Sequence, residues 1–151
     1  FKFAKMGGTI DLTCGESESK FHSVADAVKK AKKEGVPMEK VTMSSDGQGS
    51  WSNYDAEGKL VEIGVSDVDT IYRQIVYMVK EENMDFEELL ALGTKNPAMA
   101  LELYPKKGAV KEESDADILI MNEDLSLDTV IAMGVPMMRD GKILKKGTYE
   151  K

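Results

Sequence analysis

The sequence predicts an α/β fold that contains a parallel sheet. Two short β-type segments, Thr9–Cys14 and Lys40–Ser45, each precede a region of helical periodicity. After Pro105 the pattern changes to short β-type runs separated by turn residues. Strands that alternate with helices are typical of parallel sheets covered by helices, and the change of pattern divides the chain into residues 1–104 and 105–151.

The first part of the chain is predicted to be helix, strand, helix and strand. Phe1–Lys5 is typical of the end of a helix, which Gly7 and Gly8 stop. The helix between the two strands ends at Gly35 and Pro37. It is indicated by apolar residues at helical spacing, namely Phe21, Val24, Ala25, Val28 and Ala31.

A long loop, Gly47–Gly64, is predicted after the second strand. Glu57 and Gly58 are typical of a tight turn, so a small hairpin is expected at that point. Long loops inside compact chains often carry function, and this one begins directly after the acidic residue Asp46.

Three further helices are predicted after this loop. The N-cap of the first is expected at Ser66 or Asp67. Asp85 and Glu88 have the spacing of a capping box that begins the second helix, and Thr94 is expected to cap the third. The first of these helices has an apolar face formed by Val68, Ile71, Tyr72, Ile75, Val76 and Val79.

The last part of the chain is predicted to be β-rich. Asp140 and Gly141 form a strong hairpin signal between the final two strands. The predicted strands are Ile118–Met121, Thr129–Met133, Val135–Met138 and Ile143–Leu144.

Composition excludes several classes of protein. A net charge of −7 argues against general affinity for nucleic acid, whose phosphates require a basic surface. No apolar run reaches the roughly 18–20 residues that span a bilayer, so no membrane partner is expected. The single cysteine, Cys14, cannot form an internal disulfide, which favours a reducing, cytoplasmic setting. His22 is the one histidine, so these residues contain no histidine-rich metal cluster.

The chain is expected to be a piece of a longer protein. It begins with Phe1, within a predicted helix, rather than with methionine. A complete (β/α)₈ barrel needs about 250 residues, and two parallel strands are a quarter of its sheet. Such a fragment has open strand edges, so the remainder of its own polypeptide is the expected partner.

Asp46 is the residue that most strongly suggests chemistry. It lies at the exit of the second strand, and the carboxyl ends of parallel strands are where barrel enzymes place catalytic groups. Gly47 and Gly49 allow backbone to approach a ligand, and the Ser50 hydroxyl can donate to a carboxylate or a carbonyl. The alternative is structural, because Asp-Gly is also a common turn dipeptide whose aspartate forms an Asx-turn.

A run of motifs gives the chain a resemblance to a known family. Val41–Ser50, with its Ser-Ser-Asp-Gly-Xaa-Gly-Ser sequence, resembles the last barrel strand of the isoaspartyl (β-aspartyl) dipeptidases of the amidohydrolase superfamily. Gly7–Thr13 resembles the strand before it. The likeness continues through Thr94–Ala98, Gly108 with Ala116–Ile120, and the closing hairpin Gly134–Lys142.

The resemblance implies a fold and a place in it. Residues 1–104 would be part of a (β/α)₈ TIM-type barrel, namely its last two βα units with extra helices. Residues 105–151 would be the C-terminal strands of a small β-sandwich domain. The complete protein would hydrolyse β-aspartyl peptide bonds with a binuclear zinc site, and it is expected to be a homo-oligomer.

The resemblance also assigns roles to three residues. Asp46 would be both a zinc ligand and the base that takes a proton from the attacking hydroxide. Ser50 matches the position that hydrogen-bonds substrate, and Gly49 lets backbone approach the same ligand. The other ligands of the family are histidines and a carboxylated lysine on earlier strands that this chain lacks. We therefore expect the isolated chain to be inactive.

The sequence is also compatible with other interpretations. The protein could be another amidohydrolase, acting on a cyclic amide or an N-acyl amino acid, or a non-catalytic structural or assembly domain. His22 is interpreted as a solvated or packing residue and Cys14 as an apolar filler that could line the pocket. Trp51 and Tyr54 are assigned equally to an active-site lid or to an oligomer contact.

Overall fold

A computed structural model describes residues 1–147, except for the side chains of residues 18 and 19. A short 3₁₀ turn, Met38–Lys40, precedes the second strand. The helices of the described range are α1 (Lys2–Lys5), α2 (Glu18–Lys33), α3 (Thr70–Lys80), α4 (Phe86–Gly93) and α5 (Lys95–Ala100). The strands are β1 (Ile10–Thr13), β2 (Val41–Ser44), β3 (Ser50–Tyr54), β4 (Leu60–Val65), β5 (Ile118–Met121), β6 (Leu127–Ala132), β7 (Val135–Arg139) and β8 (Lys142–Ile143).

β1 and β2 form a parallel pair, which confirms the predicted α/β class. Their register runs from Ile10 opposite Val41 to Thr13 opposite Ser44. Because side chains alternate along a strand, one face of the pair carries Ile10, Leu12, Val41 and Met43, and this face packs on the helices.

The opposite face of this pair is polar. Asp11 is exposed on it, and its carboxylate accepts hydrogen bonds from the Thr42 hydroxyl at 2.6 Å and from the Ser44 hydroxyl at 2.5 Å. Both carboxylate oxygens therefore bridge from β1 to β2. This bridge ties the two strands together two residues before Asp46.

The hydrophobic core lies between the strand pair and helices α2, α3 and α4. Met78, Leu89, Leu92 and Val28 are almost completely buried in it. Each of these side chains contributes about 1.5–3 kcal/mol through the apolar surface that it removes from water. The core therefore holds β2, and with it the start of the loop at Asp46, in a fixed position against the helices.

Asn96 fixes the start of β2 from the side of α5. Its side chain is buried, and its Nδ2 donates to the carbonyl oxygens of Met38 and Val41, at 2.8 Å each. A buried amide that makes two such bonds satisfies backbone groups that the strand cannot pair itself.

Most of the predicted loop Gly47–Gly64 is a β-hairpin, so the expectation of a long loop is wrong. β3 and β4 pair antiparallel, from Ser50 opposite Val65 to Tyr54 opposite Leu60. The predicted small hairpin at Glu57 and Gly58 is confirmed as its turn. The Asp55 carboxylate accepts from the backbone N–H groups of Glu57 and Lys59, and Gly58 has a φ of +80°.

The predicted start of α3 is also wrong, because α3 begins at Thr70 with Asp69 as its N-cap. Ser66 is instead joined to the base of the hairpin. Its N–H donates to the Gly49 carbonyl, and its own carbonyl accepts from the Gln48 N–H. The Asp67 N–H donates to the Glu16 carboxylate at 2.7 Å. Both expected cap residues therefore bind other loops of the chain, and neither is the N-cap of α3.

Of the two remaining cap predictions, the one at Asp85 is confirmed and the one at Thr94 is correct in its position alone. Asp85 accepts from the Glu88 N–H at 2.8 Å, as the capping spacing predicts. Thr94 precedes α5, but its hydroxyl donates backwards to the Leu90 carbonyl at 2.7 Å and does not cap α5. A threonine hydroxyl can satisfy either helix, and here the free carbonyl of α4 is nearer.

The last four strands form an antiparallel sheet in the order β5-β6-β7-β8. Asp140 and Gly141 have φ values of +51° and +69°, the left-handed pair that a two-residue hairpin requires, so this turn prediction is confirmed. The Tyr72 hydroxyl of α3 donates to the Leu125 carbonyl at 2.8 Å, which joins this sheet to the helical part. Among the described residues, the helices are all too short or too polar to cross a bilayer.

Candidate functional site

Asp46 lies in a tight turn directly after β2. It is exposed and has a φ of +48°, a left-handed conformation that aspartate and asparagine tolerate better than most residues. The Gly49 N–H donates to the Asp46 carbonyl at 2.8 Å, which closes the turn. The backbone therefore turns sharply at the carboxyl end of the strand and presents the carboxylate at its rim.

Gly49 is required by this turn. A Cβ atom built at this position would lie 2.6 Å from Asp46 Oδ1, far inside van der Waals contact. Any other residue would displace the carboxylate, so the absence of a side chain at Gly49 is required by Asp46 itself. The expected approach of a ligand to the backbone at Gly49 stays a prediction.

The structure does not contain the Asx-turn that competed with a chemical role. Within the described part of the chain, the Asp46 carboxylate accepts no hydrogen bond, whereas the Ser45 hydroxyl accepts one from the Gly47 N–H at 3.0 Å. The serine stabilises the turn, and the aspartate side chain is left available for another partner.

A cavity of about 490 Å³ opens beside Asp46. One wall is the segment between β1 and α2, which includes Thr13, Cys14 and Lys20, and the other wall is the β3–β4 hairpin. A volume of this size falls within the range of about 300–1,000 Å³ typical of small-molecule sites. The cavity is therefore the candidate functional site.

An ion-pair clamp holds the first wall against α3. The Glu16 carboxylate accepts from the Asp67 N–H and pairs with the Arg73 guanidinium at 2.5 Å. Arg73 also pairs with Asp69 at 2.9 Å. Burial works to raise the pKa of Glu16, but the Asp67 N–H and the Arg73 guanidinium outweigh it, so that the pKa lies below its ordinary value.

Glu16→Gln should weaken this clamp and alter the pH dependence of stability. A lowered folded-state pKa means that the Glu16 contribution is present above about pH 4.5 and is lost as the pH falls through the folded-state pKa. We expect a loss of about 1 kcal/mol at pH 7, which shrinks towards zero at pH 3. Urea unfolding of the complete protein at both pH values measures it.

Glu57→Gln is the matched control for this prediction, because Glu57 is exposed at the hairpin turn and forms no ion pair within the described residues. It should change stability by less than about 0.5 kcal/mol. An E16Q protein whose deficit is equally large at pH 3 and pH 7 would show that the clamp does not depend on the Glu16 charge.

The hairpin wall carries a row of side chains that point to the cavity. Trp51, Asn53 and Glu62 line it, and Asn53 Nδ2 donates to Glu62 Oε2 at 3.1 Å. Trp51 covers Gly64 on the neighbouring strand, where a Cβ would lie 2.2 Å from the indole ring. Its indole N–H is buried and has no acceptor among the described residues.

The two aromatic residues of this hairpin are separated in the structure. Trp51 lines the cavity wall, while Tyr54 lies at the far end of β3 with 63 % of its surface exposed. Ser50 begins β3 and is exposed, and it does not line the cavity, although it directly follows Gly49.

Cys14 lines the cavity, but its thiol is unreactive. Its side chain is buried, and burial, with a smaller effect of Asp11, raises the pKa of the thiol to about 12. The thiol therefore stays protonated at neutral pH and is a poor nucleophile. His22 lies away from the cavity, with its Nδ1 2.7 Å from the Tyr77 hydroxyl, which agrees with a packing role.

The described residues do not bring a set of metal ligands together. They contain no group of three or more His, Cys, Asp or Glu side chains with the spacing of a metal site. Asp46 suits a metal as a single ligand, because its carboxylate is exposed and unbonded within the described chain. Any further ligands would come from outside the described residues.

Sequence patterns missed several residues that build the cavity. Glu16 and Arg73 are 57 positions apart, so their pairing has no signal in local spacing. Lys20 lies in the polar stretch at the start of α2, where no sequence pattern distinguishes it from its neighbours. The row formed by Trp51, Asn53 and Glu62 could have been found from period-two alternation had the loop been recognised as strands.

Comparisons with known proteins identify relatives of the whole chain. The profile of the amidohydrolase family matches residues 2–144. The chain is similar to a β-aspartyl dipeptidase from Fervidobacterium islandicum AW-1, solved in complex with the β-Asp-Leu dipeptide, with 35 % identity and a TM-score of 0.81. A second structure of β-aspartyl dipeptidase from this organism gives 31 % identity and a TM-score of 0.71.

These similarities cover 99 % of this chain but 38 % and 36 % of the two dipeptidase chains, so the chain spans little more than a third of their length. More distant structures share the fold alone. An N-acetylglucosamine-6-phosphate deacetylase from Pasteurella multocida has 18 % identity and a TM-score of 0.58, over 76 % of this chain and 34 % of its own. A D-hydantoinase has 21 % identity and a TM-score of 0.56, over 83 % and 34 %.

Proposed function

The chain belongs to the amidohydrolase family, and on that basis we propose that it is the C-terminal part of a zinc-dependent isoaspartyl dipeptidase. The complete protein would hydrolyse the β-linked peptide bond of β-aspartyl dipeptides. Identity of 35 % over 99 % of the chain to a β-aspartyl dipeptidase supports the choice within the family. The observation that carries a catalytic role is the exposed, unbonded carboxylate of Asp46 at the exit of a parallel strand.

We propose that residues 1–104 are the last two βα units of a (β/α)₈ barrel. Two features of the strand pair support this placement. One face is packed on helices, as the outside of a barrel sheet is, and the other carries Asp11 and Thr13 in the open. The chain from residue 105 on would supply the C-terminal strands of a small β-sandwich domain, as the antiparallel sheet β5–β8 suggests.

Asp46 would hold one of two zinc ions through a carboxylate oxygen, with the other ligands on strands outside this chain. A bound zinc pair lowers the pKa of water and polarises a scissile carbonyl. The second oxygen of Asp46 would take the proton of the attacking water and deliver it to the leaving amine. Gly49 keeps the space beside the carboxylate open. The Ser50 hydroxyl is exposed beside this turn but does not line the cavity, so it would donate to a part of the substrate that lies outside the cavity.

Substrate profiling of the complete protein tests this proposal. We expect efficient hydrolysis of β-Asp-Leu, in which the side-chain carboxyl group of aspartate forms the peptide bond. We expect no hydrolysis of α-Asp-Leu, in which the α-carboxyl group forms it. Faster turnover of a cyclic amide such as dihydrouracil, or of an N-acetyl amino acid, would assign the protein to a different amidohydrolase activity. Failure to hydrolyse any amide in the presence of zinc would favour a non-catalytic domain.

We further propose that the complete protein is a cytoplasmic homo-oligomer. The chain has one cysteine, Cys14, which is a free thiol and cannot form an internal disulfide, and this favours a reducing compartment. Light scattering of the complete protein measures its mass, and a monodisperse monomer would contradict the oligomer.

A further inference from the structure

Lys20 is a cation in the cavity without an obvious structural partner. Within the described part of the chain it is the one Lys or Arg side chain that lines the cavity. Its stem lies over Gly15, where a Cβ would be 2.8 Å from Lys20 Cγ, so the half-buried side chain is held against the cavity wall. Its ammonium group forms no ion pair with the described residues.

Two other lysines of α2 have close carboxylate partners. Lys29 pairs with Glu82 at 2.5 Å, and Lys32 pairs with Glu88 at 2.6 Å. The chain has 27 acidic and 20 basic residues, so carboxylate partners are plentiful. Lys33 also forms no ion pair with the described residues, but it is exposed to solvent. Lys20 differs because it lies half-buried in the wall of a cavity, where a ligand can reach its ammonium group.

The acidic groups of the cavity do not satisfy this cation. Glu16 is neutralised by Arg73, and Glu62 accepts from Asn53 on the opposite wall. Asp46 lies at the exit of β2 and has no bonded partner among the described residues. The cavity therefore carries separate charges, positive on the α2 wall and negative on the hairpin wall and at Asp46.

We propose that Lys20 binds the C-terminal carboxylate of the dipeptide substrate, an inference that rests on the proposed function. An ammonium group and a carboxylate form a charge-assisted hydrogen bond, and the nearby N-terminus of α2 favours the same negative charge. In a dipeptide the residue after the scissile bond carries the C-terminal carboxylate, whereas in a longer peptide that residue continues into another peptide bond. Lys20 would thus select dipeptides over longer peptides.

The test compares Lys20→Met with a matched control in the complete protein. Lys33→Met removes a positive charge from the exposed last turn of the same helix, about 20 Å away at 1.5 Å per residue. Each protein is assayed with β-Asp-Leu and with its C-terminal amide, which lacks only the carboxylate charge. Lys20→Arg is included because it keeps the charge.

We expect K20M to lower kcat/KM for β-Asp-Leu by about 10- to 100-fold, mainly through KM, and to leave the amide within about twofold. K33M should match the original protein, and K20R should retain most of the preference for the free acid. An equal loss on both substrates would overturn the proposal, because Lys20 would then act on the fold alone.

Leucine binding separates this inference from the proposed function. Calorimetry should show that K20M weakens leucine binding by about tenfold and leaves leucinamide unchanged. If the protein hydrolysed no β-aspartyl peptide but kept this Lys20-dependent binding, the proposed function would fail and the carboxylate site would stand. Equal binding of leucine by K20M and the original protein would refute the site.

Discussion

Asp46→Asn in the complete protein is expected to lower kcat/KM for β-Asp-Leu by at least about 10³-fold. The amide of asparagine cannot take a proton from water, and it is a weak zinc ligand. The fold should be retained, because asparagine also tolerates the φ of +48° at this position, and because the described residues make no hydrogen bond to the carboxylate. Steady-state kinetics and metal analysis of the same preparation measure both effects.

Asp140→Asn is a closely matched control for this experiment. Asp140 also precedes a glycine, is exposed, and has a φ of +51°, but it lies in the hairpin turn before β8. The substitution should change kcat/KM by less than about twofold. If D46N kept normal turnover and normal zinc, Asp46 would be a turn residue and no more.

The isolated 151-residue chain is expected to hold no zinc pair and to hydrolyse no β-aspartyl peptide. The described residues offer Asp46 as a single exposed ligand and no cluster that could bind a metal ion. A zinc site needs about four donor groups, and a single carboxylate cannot supply them. Metal analysis after dialysis against zinc, together with an assay with β-Asp-Leu, checks this prediction.

The complete protein, prepared in the same way, is the positive control. It should retain close to two zinc ions per subunit and cleave the peptide. Stoichiometric zinc or measurable cleavage by the isolated chain would contradict a site that is shared with strands outside it.

The sequence predicted those parts of the fold that depend on local rules. The strands β1 and β2 follow from short runs of β-forming residues between helical patterns, and their parallel pairing follows from the helix between them. The caps and turns at Asp85 and Asp140 were correct because each depends on two or three adjacent residues. The turn at Asp46 and Gly49 was found for the same reason.

The remaining elements are decided by contacts between distant residues. The β3–β4 hairpin was assigned to a loop because its residues are mostly exposed and give no clear apolar alternation. The start of α3 moved to Thr70 because Ser66 pairs with Gly49 and because Asp67 binds Glu16, which is 51 positions away. No pattern within a window of the sequence contains these partners.

The candidate site shows the same division. Asp46 and its glycines were identified from a short motif, whereas the cavity depends on how the hairpin and the β1–α2 segment face each other. No local motif marks Lys20, since what distinguishes it from the other lysines of α2 is its position in the cavity wall.

Anomalous diffraction at the zinc edge from crystals of the complete protein directly measures whether Asp46 binds metal. We expect a zinc peak at about 2.0–2.2 Å from a carboxylate oxygen of Asp46. Zinc bound in the barrel with no ion within about 4 Å of Asp46 would show that Asp46 is not a metal ligand.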